Sequence, residues 1–288
     1  MPDNIQGIFW ALFAAALFSI VIALAKVAVS EYHVLQILFF RQIIVFFSSL
    51  PDIAKTFPDS LKTQRPGTHA LRLVGAFVAL SSGIWAVAVL PLTTATILAF
   101  TQVFFVVLLA FWFLKEPVGL HRIGAVITGF FGVIIVMRPG INGLMSIHAL
   151  ISIVGALGAA VAVISVRKLS QTESTATLLA YQSIFVGALA GVPLFWLWIN
   201  PDFEGLLLLL AMGVLATIGQ WVGIKALRIG EASVISNMEY SKLIYAAILG
   251  YALFGEIPDI YTWVGAAIII GSSAYIFRRE VIKKKDAL

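Results

Sequence analysis

Runs of about twenty apolar residues, the length a helix needs to cross the hydrocarbon core of a bilayer, recur along nearly the whole chain. Inside lipid every backbone N–H and C=O must be paired within its own segment, so such runs fold as membrane-crossing helices. Ten spans read in order: Ile5–Ala25, Val34–Leu50, Ala70–Leu90, Thr93–Leu114, Gly119–Met137, Ile147–Val166, Ala176–Ile199, Gly205–Leu227, Ala232–Phe254 and Ile260–Phe277. Only 11% of residues are charged and 61% are hydrophobic. A soluble domain averages about 25% charged residues, so this surface cannot mostly face water. The expected fold class is an all-α polytopic membrane protein. The first span starts within a few residues of Met1, with no basic leader or small-residue cleavage site, so no signal peptide is predicted. The chain has no cysteine, which excludes disulfides and thiolate metal sites or nucleophiles.

Positive flanks orient a membrane protein. With alternate connections assigned to opposite sides, fourteen of the nineteen Lys and Arg fall on one side, among them Lys55, Arg72, Lys115, Arg167 and the C-terminal run Arg278 to Lys285. Lys26 and Arg138 fall on the other, and Arg41, Lys225 and Lys242 lie within spans. Both termini are therefore expected in the cytoplasm of a bacterial inner membrane. The pI near 9.5 reflects these flanks rather than a nucleic-acid partner. Pro51 to His69 reads as a solvated cytoplasmic loop, and Pro91-Leu92 as the tip of a tight hairpin between the third and fourth spans.

Shifted by 140 residues, the chain resembles itself. Ala16-Leu17 falls on Ala156-Leu157, Gln42 on Gln182, Thr101-Gln102 on Ser241-Lys242 and Glu116 on Glu256. The halves are then residues 1–140 and 141–288, five spans each. Five is odd, so the second copy enters from the opposite side. Inverted repeats are the architecture of many secondary transporters, with substrate held near the midplane between the halves.

Glu239 and Lys242 sit near the middle of the ninth span, roughly 11–15 Å from its start. A charge at that depth costs at least about 2.5–3.5 kcal/mol, so it faces a bundle interior or a water-filled cavity. Three apart on one helical face, the two either neutralise each other or present a fixed anion and cation to a zwitterion. Arg41 lies mid-span with nothing acidic nearby in sequence, and is either paired across the bundle, with Glu239 as the candidate partner, or open to the cavity. Symmetry sets Arg41-Gln42 against Tyr181-Gln182, candidates for second-layer or gating roles. Lys225 lies near a span end, where it can snorkel. Trp85, Trp221 and Tyr240 are candidate aromatic walls of a cavity that also holds Thr101, Gln102, Asn237, Glu239 and Lys242. Trp10, Trp112, Trp196, Trp198, Tyr261 and Trp263 fall near span ends and read as an interface belt. Gly187, Gly191, Gly219 and Gly223 read as close helix-packing positions. Glu116 and Glu256 end their helices at opposite faces, where a carboxylate can cap a neighbouring helix N-terminus or form a gate.

Two five-span halves, each with a fourth helix ending near an acidic motif (FLKEP and LFGEIP) and followed by a Gly-Ala helix, resemble the drug/metabolite transporter superfamily. The chain is most similar to its ten-span EamA-type branch, and EYSKLIYAAILGYALFGE resembles the aromatic amino-acid exporters of the YddG type. The resemblance covers about residues 5 to 280. It implies a basket of helices around a central cavity built largely from the third, fourth, eighth and ninth spans. Val103 and Leu243 occupy the places where family members often carry a mid-helix proline, which argues against a kink there.

The enzyme reading has no support. There is no Gly-x-Ser-x-Gly elbow, His-Glu-x-x-His pair or P-loop, and His33, His69, His121 and His148 are scattered rather than clustered for a metal. No cofactor, metal or nucleic-acid partner is expected; the partners are a small-molecule substrate and the bilayer, and the chain is expected to act as a monomer. The functional expectation is an inner-membrane secondary transporter exporting amino acids or related metabolites by alternating access. The alternatives are a multidrug or quaternary-ammonium exporter, and a non-transporting lipid-handling or structural membrane protein.

Overall fold

The computed structural model describes residues 4–57, 63, 65–114, 120–137, 143–169, 172–229 and 238–286. Among them there is no strand. The helices are α1 (Asn4–Ala28), α2 (Val34–Thr56), α3 (Pro66–Val89), α4 (Leu92–Ala99), α5 (Gln102–Leu114), α6 (Leu120–Met137), α7 (Gly143–Leu169), α8 (Thr175–Gly191), α9 (Leu194–Leu197) and α10 (Phe203–Ile229), then, after a 3-10 turn at Met238–Tyr240, α11 (Ser241–Phe254) and α12 (Ile260–Asp286). Six segments are long and apolar enough to cross a membrane, and four shorter apolar helices occupy the remaining places of the ten spans.

The packing repeats itself between the halves. α1 lies on α10 as α3 lies on α7, and α5 meets α7 as α1 meets α11. α2 pairs with α8 and α6 with α12, each helix meeting its own counterpart, and α4 of the fourth span meets α11 of the ninth. Exchanging the halves maps the α1–α10, α3–α7, α5–α7, α1–α11, α2–α8 and α6–α12 pairings onto one another, as two five-helix inverted repeats require.

Small residues set the closest crossings. A Cβ on Gly75 would stand 2.7 Å from the Gly158 carbonyl oxygen, and one on Gly158 would stand 2.8 Å from that of Gly75, so α3 and α7 touch backbone to backbone. Gly265 approaches the Gly132 carbonyl equally closely, joining α12 to α6. Of the glycines singled out in sequence, Gly191 is tight, with Phe39 2.9 Å from its notional Cβ, while Gly187, Gly219 and Gly223 make ordinary contacts.

Four boundaries depart from the sequence reading. α2 continues past Pro51 to Thr56, and α3 begins at Pro66, so the ends of the supposed solvated loop are helical and His69 is buried. Pro66 opens its helix, where a missing N–H costs nothing. The seventh span stops at Gly191 rather than Ile199, because Pro193 follows and starts only the four-residue α9. The fourth span breaks at Phe100-Thr101 without any proline. There the Phe100 and Thr101 N–H groups bond to Ile97 and Leu98 three residues back, the tighter 3-10 pattern that often marks a functional hinge. In the ninth span a 3-10 turn at Met238–Tyr240, ending 140 residues on from Phe100, leads into α11 at Ser241. The absence of proline at Val103 did not exclude the interruption of the fourth span.

Candidate functional site

A cavity of about 390 Å³ lies between the halves at the level of the Phe100-Thr101 break. Its walls come from α1 (Phe18, Val21, Ile22, Ala25), α2 (Ile37, Arg41), α3 (Ala79 to Val87), α4 and the break (Ala95, Thr96, Ala99, Phe100, Gln102), α7 (Ser152, Gly155, Ala156, Ala159), Met212 of α10 and Lys242 of α11. Most of the surface is apolar or aromatic, with a few convergent polar groups, the usual make-up of a small-molecule site.

The symmetry-related pair Phe100 and Tyr240 meet across the break with ring centroids 5.4 Å apart. Just beyond them α5 starts at Gln102 and α11 at Ser241, and the first N–H groups of α5 stay bonded across the break, Val103 to the Phe100 carbonyl and Phe104 to that of Thr101. Lys242 extends over the Phe18 ring with its Nζ 5.2 Å from the centroid. Ser152, 4% exposed, has no hydrogen-bond partner for its Oγ among the described residues.

The expected site residues distribute as follows. Gln102 and Lys242 line the cavity, and so does Arg41, which the sequence left open between a paired and a cavity position. Tyr240 backs Phe100. Thr101 is fully buried at the break and is not part of the lining. Asn237 lies outside the described residues, as does the side chain of Glu239. Trp85 and Trp221 do not line the cavity; they are 54% and 48% exposed on the outer faces of α3 and α10. The cavity face of α3 is 79, 80, 83, 84, 86 and 87, a helical stripe that leaves Trp85 on the far side.

Three of the residues expected to gate or support the cavity lie away from it. Gln42, 1% exposed, faces α8 in an outer groove with Gly187. Gln182 accepts a bond from Arg72 (3.1 Å), whose other guanidinium nitrogen donates to the Leu178 carbonyl (2.8 Å). Tyr181 packs its ring 4.5 Å from His69, which pairs with Glu173. Thr63 adds a 2.5 Å bond to the same carboxylate. This buried polar knot joins α3 to the α7–α8 connection. Lys225 also lies away from the cavity; it is exposed, and its Nζ lies 3.8 Å from the Trp10 ring centroid, a cation–π contact joining α10 to α1.

A second polar cluster sits at the opposite end, directly above the cavity. Lys26 at the end of α1 forms an ion pair with Glu256 and donates to the Leu90 carbonyl (2.8 Å). The other Glu256 oxygen accepts the Leu92 N–H (2.7 Å) at the start of α4, realising the capping role expected of this carboxylate. Gly255 makes this possible. Its φ of +64° ends α11 in a left-handed turn, with the Glu256 N–H bonded back to Gly250, so the carboxylate folds over the helix end. Sequence gave Lys26 only a topological role, because its partner lies 230 residues away.

The profile of the EamA-like transporter family matches residues 5–138 and again residues 146–278. The chain belongs to that family. It is 30% identical to the S-adenosylmethionine uptake transporter of Rickettsia prowazekii, over 97% of this chain and 95% of the relative. It is 29% identical to the riboflavin transporter of Vibrio cholerae (98% and 96%) and 27% identical to the pseudopaline exporter of Pseudomonas aeruginosa (92% and 93%). A solved crystal structure shares the fold over 95% of this chain and 98% of its own, with a TM-score of 0.65 at 15% identity. The family is one of membrane transporters, and the aromatic amino-acid exporter specificity expected from the sequence is not what these relatives are named for.

Proposed function

We propose that this EamA-family chain moves small amino-acid-derived solutes through the central cavity by alternating access, with both termini in the cytoplasm of a bacterial inner membrane. The observation that carries the reading is the cavity between the inverted halves, bordered by the broken fourth span and by the cationic groups of Arg41 and Lys242. Discontinuous helices at the repeat interface are where secondary transporters hold substrate. A volume near 390 Å³ suits a metabolite of modest size. Phe18 and Phe100 offer flat apolar surface to an aromatic portion. S-adenosylmethionine, named for a 30% identical relative, joins an amino acid to an aromatic base and matches that combination. Relatives are named for uptake and for export, and net flow in a secondary transporter follows the imposed gradients. Among the described lining residues the charged side chains are both cationic, which disfavours a quaternary-ammonium ion, since it brings no anionic group for them to pair with.

The test is counterflow in proteoliposomes with labelled S-adenosylmethionine, tyrosine, riboflavin and a quaternary-ammonium dye, with and without a pH gradient. Saturable exchange of S-adenosylmethionine or tyrosine, lost in Lys242→Ala, is expected. Movement of the dye alone favours the multidrug reading, and no saturable flux of any probe removes the transport reading for these solutes.

A further inference from the structure

Arg41 stands apart from the other cations within the helices. Arg72 is bonded to a carbonyl and to Gln182, Lys26 is paired with Glu256 and Lys225 lies on Trp10. Among the described residues, nothing accepts a hydrogen bond from the Arg41 guanidinium or pairs with its charge, although it lies seven residues inside α2 and faces the cavity. An uncompensated guanidinium at such depth is costly, and a fold retains one where something else supplies the counter-charge. On α7, in the wall of the same cavity, the buried Ser152 hydroxyl also lacks a partner. Gln102 adds an amide to the same lining.

We infer that Arg41 is the anion ligand of the transported solute, binding a carboxylate in fork geometry with Ser152 as an accessory donor. A guanidinium presents parallel N–H groups that match the two oxygens of a carboxylate, and it stays charged at any physiological pH. The carboxylate has lone pairs to spare for the serine hydroxyl. Ile37, one turn before Arg41, and Phe18 give the same cavity apolar surface, which lowers the local dielectric and strengthens the contact. This inference rests on the transport reading for its substrate class, and its test separates the two.

Binding to purified protein is measured for two pairs that differ only in the carboxylate: S-adenosylmethionine against decarboxylated S-adenosylmethionine, and tyrosine against tyramine. The carboxylate member is expected to bind at least about tenfold tighter to wild type, the size of one charged hydrogen bond. In Arg41→Gln the preference should collapse to within about twofold, while Arg41→Lys, a charge without the fork, retains part of it. A preference that survives Arg41→Gln, or one absent from wild type, overturns the assignment even if flux continues. Carboxylate-selective binding without flux would instead remove the transport reading and leave the anion site standing. A second measurement needs no variant: phenylglyoxal modification of Arg41 in wild type should be slowed by S-adenosylmethionine and not by its decarboxylated form. Equal modification with both overturns the assignment.

Discussion

The two ends of the helix bundle close by different physics. At the end bearing Lys26, the cavity reaches Ala25 and Val87, and what lies beyond is the Lys26–Glu256–Leu90–Leu92 cluster. Its two charged side chains are still 18% and 16% exposed. The end bearing His69 is sealed in depth. Gly75 lies on Gly158, Ala11 packs near Ala226, and the His69–Glu173 pair is buried to 3% and 4%. A partly solvated ion pair contributes little net stability, whereas dry backbone packing and buried polar bonds must all be broken together. The thin closure is therefore the one expected to open at lower cost from this conformation.

Breaking the thick end should give the largest effect. Glu173→Ala leaves His69 and Thr63 without their buried partner and is expected to cost about 3–5 kcal/mol. That should appear as a large drop in the thermal unfolding midpoint of the solubilised protein; an unchanged midpoint would show that the knot does not hold this end. Gly75→Ala comes next. Its new methyl would stand 2.7 Å from a carbonyl oxygen, and overpacking of this kind costs about 1–3 kcal/mol. Gly83→Ala is its control on the same helix, with nothing within 4 Å of the new atom, and should change stability by less than about 0.5 kcal/mol. Equal losses for the two would remove the argument that α3 and α7 are locked at Gly75.

Glu256→Gln addresses the thin end and should cost under about 1 kcal/mol. Its effect should lie in access instead. The chain has no cysteine, so a single one at Ala25 reports directly on the cavity. Labelling of Ala25→Cys by an impermeant maleimide should rise when Glu256→Gln is added, while Ala11→Cys at the thick end stays protected. If labelling at Ala25 does not change, the cluster is not what closes this end.

Several of these features were legible before any coordinates. The 140-residue offset paired Thr101-Gln102 with Ser241-Lys242; the fourth span breaks at the first pair, and a 3-10 turn ends just before the second. The acidic end of the ninth span was readable as a cap because Gly255-Glu256 directly follows the last apolar turn. Trp85 and Trp221 were misread because a large aromatic within a span signals burial only when its helical face is known. The cavity stripe of α3 passes on the other side of Trp85. Arg72 and His69 looked like solvated flanking charges, and only the approach of α8 shows them bonded and buried. Chain-break signals also misled: Pro51 lies within a continuing helix, while Phe100-Thr101 interrupts one without proline.

What the sequence determined by itself is what depends on local chain physics: helices long and apolar enough for lipid, their number, and the odd count that inverts the second repeat. The tertiary structure decided what depends on which helix faces meet. It turned Arg41 toward the cavity, brought Lys26 to a carboxylate 230 residues away, and made one end thin and the other thick. Periodicity limits each residue to a face of its own helix, and only packing says what that face touches.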